Sequence, residues 1–512
     1  MLQLTLTLLP WLVRPHPLQP FHPEYKDVRG PLSPSYPLVE ESREYWHNSM
    51  QEQLRHQLDY TARRGRATNV IFFLGDGMGV STLTAARILK GQQQGLQGGE
   101  RASLAFETFP EAALCRTYCV DSTVADSACS ATAYLGGVKA NIGTLGVTAA
   151  VKYKQCSGQN DPESSVSSLL SWAQSAGLAT GLVTTTKVTH ASPAAAYAHV
   201  ANREWYTDRE VAADLHDPAV CHDIAKQLVR GRTGRGLDVV LGGGRADFLP
   251  AGQGQQGGRA GRRGDGVDLL AEWAEDKAAR NLSHAVITSK EELRRVVEGP
   301  GRDRVLGLFA PSHMAYSEEQ EEPAEPSLEE MTRAAVSLLA GKERGYVLFI
   351  EEGMIDLAHH LNQARRALQH TLELDKAVTA ALELVDLEDT LIIVTADHSH
   401  GLTLNGYPDR GADILGLGGE SEVSGHKFPT LLYSTGPGHR EQADITAEDL
   451  AEPDSQYPAM VPQEVGHHSG EEVVLYAAGP QAHLFRGLLQ QSYIPHALAY
   501  AACIGRGATV CD

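Results

Sequence analysis

Apolar residues are arranged along this chain in two alternating patterns. Continuous runs rich in Val, Ile, Leu and Phe, namely NVIFFLG at 69–75, GLATGLVTTT at 177–186, LDVVLGG at 237–243, YVLFI at 346–350 and TLIIVTA at 390–396, have strand length and little polar alternation. Strands buried on both faces read this way. Between them lie helix signals, from about Ser81 to Gln93, from Ser127 onward, and over a long stretch from about Ile355 to Leu384. The alternation predicts an α/β fold with a large, mostly parallel central sheet sandwiched by helices. Most of the strand runs end within a few residues of a side chain that can ligate metal: Asp76; His190 with Ser192; Glu351 with Asp356 and His360; Asp397 with His398. The carboxyl ends of parallel strands share one edge of an open sheet, so these residues are expected to meet in one crevice.

Elsewhere the pattern changes. Residues 1–13, MLQLTLTLLPWLV, are an apolar run of about signal-peptide length without a positive leading segment, and 14–38 form a Pro-rich irregular arm. One large domain is then expected over 39–512, opening on a polar surface helix within 39–64. Residues 251–266, rich in Gly, Gln and Arg, read as a flexible surface loop, and the acidic run 317–326 reads as a solvated loop rather than a metal site. From Gly401 to Gly466, Gly, Pro and short apolar strings suggest an inserted, small crown-like subdomain. No other apolar run is long enough to span a membrane, and the C-terminal CIGRGATVCD lacks the apolar tail of a lipid-anchor signal.

The formal charge is −20, from 44 Lys and Arg against 64 Asp and Glu. With no compensating basic arm, nucleic acid is not an expected partner. Of seven cysteines, Cys503 and Cys511 are close enough to close a small loop and Cys156 and Cys221 flank a long segment, but spacing alone leaves connectivity open. Cys115, Cys119 and Cys129 have the spread of buried free thiols. Asn281 in NLS is the one glycosylation acceptor.

Asp356 and His360 are four apart in IDLAHH, which places both on one helix face where they can share a metal. Alone, such a pair is more often a surface contact. Glu351 just upstream, Asp397 with His398 in ADHSH, and His468 in VGHHSGEE reverse that expectation. Carboxylates and imidazoles without thiolate suit zinc, with a harder ion such as magnesium alongside. Ser127, after Asp126 in VADSACSATAY, sits where a helix N-terminus would stabilise an anion. Serine there is usually only a cap, but beside a metal its hydroxyl can become a nucleophile.

The segments FLGDGMGVST, TVADSACSATAYLGGVKAN, TTTKVTHASPAAAYAHVANR, LGGGR, IEEGMIDLAHH and TADHSH, in this order, resemble the metal-dependent alkaline phosphatases, the animal branch most closely, from about Leu38 to Cys511. The resemblance implies hydrolysis of phosphate monoesters at alkaline pH through a phosphoserine at Ser127, with two Zn2+ and one Mg2+ per chain. It implies one zinc held by Asp356, His360 and His468, and the other by Asp76, Asp397 and His398 beside Ser127. Asp76 would also reach magnesium, shared with Ser192 and Glu351, with His190 next to it. Arg203 in VANREW matches the arginine that grips phosphate, for which a planar guanidinium is suited. Bridges Cys156–Cys221 and Cys503–Cys511, a homodimer with the 39–64 helix reaching across it, and a secreted or cell-surface location are further implications.

Two departures from the family pattern stand out. Leu357 follows Asp356 where animal relatives usually carry histidine, so a polar link toward the phosphate or magnesium site is expected to be missing. The calcium site of animal relatives would lose carboxylates at Gly257 and Ala310, leaving Phe309 and Glu325, so calcium is not expected to bind. Gly466, beside His468, stands where relatives vary. A phosphodiesterase or sulfatase of the wider superfamily usually places Thr or a modified Cys at the nucleophile and lacks the Arg203 equivalent. A catalytically silent scaffold would be expected to lose ligands, and none is lost here.

Overall fold

The apolar runs form the centre of one ten-stranded sheet in a computed structural model that describes residues 38–96, 98–253, 260–319, 325–441 and 445–505. Its strands lie in the order Gly487–Gln490, Glu111–Arg116, Val473–Ala478, Thr390–Ala396, Asn69–Gly75, Tyr346–Glu352, Ala179–Lys187, Val239–Gly243, Arg304–Leu308 and His284–Ile287. Val473–Ala478 runs antiparallel to both neighbours, and the other pairings are parallel. The central strands Thr390–Ala396, Tyr346–Glu352 and Ala179–Lys187 are buried at every position, because helices cover both faces of the sheet. Aromatic packing ties one of those helices to the centre: Tyr134, on helix Ser127–Gly136, stands edge-on to Phe72 at 5.5 Å between ring centroids, and Phe72 stands edge-on to Phe349 at 5.4 Å.

The long helix expected from Ile355 to Leu384 is two helices, Met354–His360 and Ala364–Leu384. Asn362 breaks it. Its backbone is left-handed at φ 56°, a conformation that Asn tolerates better than most residues. Its side chain accepts from Gly438 N–H at 3.0 Å and donates to Thr435 O at 3.1 Å, while its carbonyl accepts from Tyr457 N–H at 2.8 Å. The break therefore fastens the ligand-bearing short helix to a small three-stranded sheet of Leu402–Leu404, Leu431–Gly436 and Ala459–Pro462, beside which Leu417–Glu420 and Lys427–Pro429 form a hairpin.

Two further expectations are corrected. Cys119 and Cys129 are not free thiols: they form a disulfide, with Cα atoms 5.8 Å apart, and Cys115 is the buried free cysteine among the described residues. Stretch 251–266 is not simply a surface loop, because Arg263 is fully buried and paired with Asp223 at 3.1 Å and Asp265 at 2.6 Å. Burying that guanidinium requires these carboxylates, and alternating Gly and Arg in the sequence gave no sign of it. Cys156 is joined to Cys221. Cys503 is disulfide-bonded, and Cys511, Gly257 and the expected apolar run and arm over 1–37 lie outside the described residues.

Replacing Asn362 by Ala removes two buried hydrogen bonds and leaves a Cβ residue in a left-handed conformation. Asn362→Ala is expected to lower unfolding free energy by about 1–3 kcal/mol, read as a lower urea midpoint at unchanged slope. Asn362→Gly, which relieves the backbone but not the lost bonds, should recover only part of it.

Candidate metal and phosphoryl-transfer site

Four adjacent parallel strands end at the same edge, and each hands a polar residue to it. Asp76 follows Asn69–Gly75, Glu351 lies in Tyr346–Glu352, Asp397 and His398 follow Thr390–Ala396, and His190 and Ser192 follow Ala179–Lys187. Helix Met354–His360 starts directly after its strand and carries Asp356 and His360 on one face. Gly77, at φ +72°, lets the turn after Asp76 pass under His400, whose Cδ2 would lie 2.7 Å from a Cβ there. Gly77 N–H also donates to Asp397 Oδ1 at 2.9 Å.

The donor atoms form two compact sets. In the first, His360 Nε2 lies 3.2 Å from Asp356 Oδ2, while His468 Nε2 lies 3.2 Å from His360 Nε2 and 3.4 Å from Asp356 Oδ1. In the second, His398 Nε2 lies 3.1 Å from Asp397 Oδ2, 3.6 Å from Asp76 Oδ1 and 3.3 Å from Ser127 Oγ. Ligands at zinc bond lengths of about 2.0–2.1 Å in a tetrahedron stand about 3.3 Å apart. Both sets have that edge length, so the residues fit the ion. The far ring nitrogens agree: His360 Nδ1 donates to Gly466 O at 2.5 Å and His468 Nδ1 to Ala125 O at 2.8 Å, which turns each Nε2 lone pair inward.

A third set is richer in oxygen. Asp76, His190 and Glu351 offer donor atoms within 4.8 Å of one another, and Ser192 Oγ donates to Asp76 Oδ2 at 3.4 Å. Thr184 and Thr186 hydroxyls both donate to Glu351 Oε2, the latter at 3.0 Å, whereas Glu351 Oε1 is buried without a hydrogen-bond partner. An oxygen set with an open acceptor suits a hard cation.

Beside these sets, Ser127 is the first residue of its helix. The capping carboxylate of Asp126 accepts from Cys129 N–H at 3.1 Å and Gly143 N–H at 3.1 Å through Oδ1, and from Arg203 Nη1 at 3.0 Å through Oδ2. Arg203 Nη2 donates to His190 Nε2 at 3.2 Å. Burial, and then the Arg203 charge, hold the His190 imidazole well below its ordinary pKa, so it stays neutral and can accept that bond. Arg203 and His190 thus stand between the Ser127 helix and the oxygen-rich set.

Electrostatics explain why these groups need cations. Asp76, Glu351, Asp356 and Asp397 are all buried; among the described residues Asp76, Asp356 and Asp397 pair with histidines, and Glu351 accepts from the Thr184 and Thr186 hydroxyls. Burial, followed by the neighbouring Asp397 charge, raises Asp76 well above the usual range. Burial is the largest cause for Glu351, pushed up to about 7, and for Asp397, pushed up to about 6. For Asp356 burial is outweighed by His360, His400 and His468, and its carboxyl falls well below the usual range.

His400 is the site residue that sequence reasoning missed. Its Nε2 donates to Asp356 Oδ1 at 2.5 Å, fixing the carboxylate that His360 and His468 share. The signal was present, two residues beyond His398 in ADHSH, but the pair Asp397 and His398 already accounted for that motif. His400 and His468 face each other because the strands Ser399–His400 and His468–Ser469 pair antiparallel, a long-range contact that local pattern does not encode. Asn281 lies apart from these clusters, after the helix Leu269–Ala279, in a left-handed turn at φ 54°.

A family model described as alkaline phosphatase matches residues 67–504. The chain belongs to the alkaline phosphatase family. It is 42% identical to the membrane-bound alkaline phosphatase of Bombyx mori over 502 residues, covering 96% of this chain and 91% of that one. It is 44% identical to the tissue-nonspecific isozyme of Gallus gallus over 487 residues, covering 93% and 92%. In fold it is similar to the alkaline phosphatase of Thermus thermophilus, with a TM-score of 0.61 at 24% identity over 88% of this chain and 94% of that one. It is also similar to a variant of the TAB5 bacterial alkaline phosphatase solved with magnesium bound in its M3 site, with a TM-score of 0.59 at 21% identity over 87% and 100%. As a member of this metal-dependent family, the protein is a phosphomonoester hydrolase. None of its described helices is long and apolar enough to cross a membrane.

The raised carboxyls predict an inverted pH response in the metal-free protein. Glu351 moves from 4.5 up to about 7 and Asp397 from 3.8 up to about 6, so the folded state binds protons more tightly than the unfolded chain. Unfolding then releases protons, and stability falls as pH rises through that window. Buried His190, His398 and His400, whose pKa values burial lowers, act in the opposite sense, so the test isolates the carboxyl: the melting-temperature difference between chelator-treated wild type and chelator-treated Glu351→Gln should decline from about pH 5 to about pH 7. A rise across that interval would contradict the assignment.

Proposed function

We propose that the site hydrolyses phosphate monoesters through a covalent phosphoserine at Ser127, with two Zn2+ and one Mg2+ per chain. The reading is carried by one observation: a donor set with tetrahedral zinc spacing stands against Ser127 Oγ, 3.3 Å from His398 Nε2, and a second such set lies beside it, the His398 and His468 rings being stacked at 3.6 Å. Asp356, His360 and His468 would hold one zinc, and Asp76, Asp397 and His398 the other. Asp76, Ser192 and Glu351 would hold magnesium, with His190 beside it. When bound, the ions neutralise phosphoryl charge and lower the pKa of hydroxyl and water.

The chain's own groups perform the rest. Arg203, pre-aimed by Asp126 and His190, binds two phosphoryl oxygens in a bidentate grip. Ser127 Oγ gives its proton to water and attacks phosphorus in line; its bond to phosphorus forms as the ester P–O bond breaks, and the departing oxygen takes a proton from water to leave as the alcohol. Water then displaces Ser127 Oγ from the vacated side and phosphate departs. The amino end of helix Ser127–Gly136 faces the oxyanion throughout and favours negative charge there.

Dimerisation, glycosylation at Asn281 and export belong to the same reading. Trp46, Met50, Leu54 and Leu58 recur four apart on helix Arg43–Asp59 and are 47–74% exposed, an apolar stripe that suits a second copy. The disulfides agree with an oxidising compartment. Calcium is left out of the proposal: the Ala310 side chain offers no oxygen, and the Glu325 carboxylate accepts from Ala315 N–H at 2.9 Å.

Ser127→Ala should lower turnover of p-nitrophenyl phosphate by orders of magnitude at nearly unchanged zinc content, and wild-type turnover in this variant would refute the mechanism. Arg203→Ala should weaken both substrate binding and inhibition by free phosphate, with turnover at saturation suffering less than in the serine variant. An unchanged phosphate inhibition constant would remove Arg203 from the site. Elemental analysis should find about two zinc and one magnesium per chain, with chelation abolishing activity and both metals together restoring it.

A further inference from the structure

We propose that the Cys119–Cys129 disulfide is a positioning element of the phosphoryl-transfer site, keeping the nucleophile, the phosphate-binding arginine and one zinc-ligand imidazole in register. The inference rests on the phosphatase reading above. The bridge closes a segment of sequence separation 10 that runs into the first turn of helix Ser127–Gly136. Consecutive residues inside it serve three parts of the site. Ala125 O accepts from His468 Nδ1 at 2.8 Å, Asp126 Oδ2 accepts from Arg203 Nη1 at 3.0 Å, and Ser127 supplies Oγ. Cys129 carries the crosslink and also donates its N–H to Asp126 Oδ1 at 3.1 Å, so the bridge anchors the cap that aims Arg203.

Apart from the bridge the loop has little apolar packing of its own. Cys119, Ala125, Cys129 and Ala140 form a small apolar cluster separate from the main core. Besides the bonds at Ala125 and at Asp126, to which Gly143 N–H also donates at 3.1 Å, its ties are Cys119 N–H to Ser122 O at 3.0 Å, Val120 N–H to Ala140 O at 2.9 Å, Ser122 Oγ to Val124 O at 2.8 Å, and Ile142 N–H to Asp121 Oδ1 at 2.8 Å. Its outer side faces a cavity of about 460 Å³ lined by Tyr118, Val120, Thr123 and Glu472, and Val120 is 57% exposed. A loop with solvent on one side and reacting groups on the other gains its order from the covalent closure, which removes conformational freedom that packing does not. Small displacements matter here, because misplacing reacting groups by about 1 Å costs about a hundredfold in rate.

The test compares Cys119→Ala/Cys129→Ala with Cys156→Ala/Cys221→Ala and wild type, each at saturating zinc and magnesium and below its melting temperature. Opening Cys119–Cys129 should lower kcat for p-nitrophenyl phosphate by about tenfold and raise the phosphate inhibition constant several-fold, while the second variant keeps both constants. A lower melting temperature with both constants unchanged would make the bridge merely structural and overturn the proposal. Should the first variant fail to fold, folded wild type is titrated with a water-soluble phosphine. The phosphine is oxidised to its oxide with oxygen from water as each disulfide is reduced to two thiols, and alkylation with peptide mass mapping identifies the opened bridge. Activity loss that follows Cys119–Cys129 opening supports the proposal; loss that follows only Cys156–Cys221 or the Cys503 bridge, or no loss, overturns it. Failure of the oxidised wild type to hydrolyse the ester would instead refute the phosphatase reading, whatever the disulfide does.

Discussion

Four carboxylates buried in one crevice set the terms for the rest of this molecule. Asp76, Glu351, Asp356 and Asp397 sit at the ends of adjacent strands or just beyond them; among the described residues histidines pair with Asp76, Asp356 and Asp397, and threonine hydroxyls bond Glu351. Like charges removed from water raise one another's pKa, and the upward shifts of Asp76, Glu351 and Asp397 express that cost. Such a cluster persists because the sheet around it is covered on both faces and over-determines its geometry. Divalent cations are the charges that relieve it, so metal dependence follows from where these strands end.

The scaffold meets the demand with fixed dipoles. Backbone carbonyls of Gly466 and Ala125 hold the outer nitrogens of His360 and His468, while Gly77 and His398 N–H groups both bond Asp397 Oδ1. These partners belong to loops, and each loop is tied down elsewhere. Gly466 N–H donates to His360 O at 2.7 Å beside the Asn362 break, and Ala125 lies inside the Cys119–Cys129 closure. The same logic applies to Arg203, whose direction is set by Asp126 and His190. Orientation established in advance is what lets hydrogen bonds act on a transition state without reorganising.

Much of this was legible in the sequence for a local reason. A strand buried on both faces must be a continuous apolar run, so the four central strands announced themselves, and polar residues just past their ends could be read as a shared edge. Asp356 and His360 were legible because helical spacing puts them on one face. Short or partly exposed strands such as Glu111–Arg116 and His284–Ile287 carry no comparable run and were not visible.

The sequence by itself thus determined the α/β class, the parallel centre and the polar residues at the strand ends, all legible within a short window of residues. Tertiary structure decided the rest. His400 joined the site through a pairing with His468, Asn362 ended a helix because partners at Thr435, Gly438 and Tyr457 were waiting, and Cys119 found Cys129 rather than staying free. Each depends on atoms brought near by folding, and distance in space is not a function of spacing in sequence.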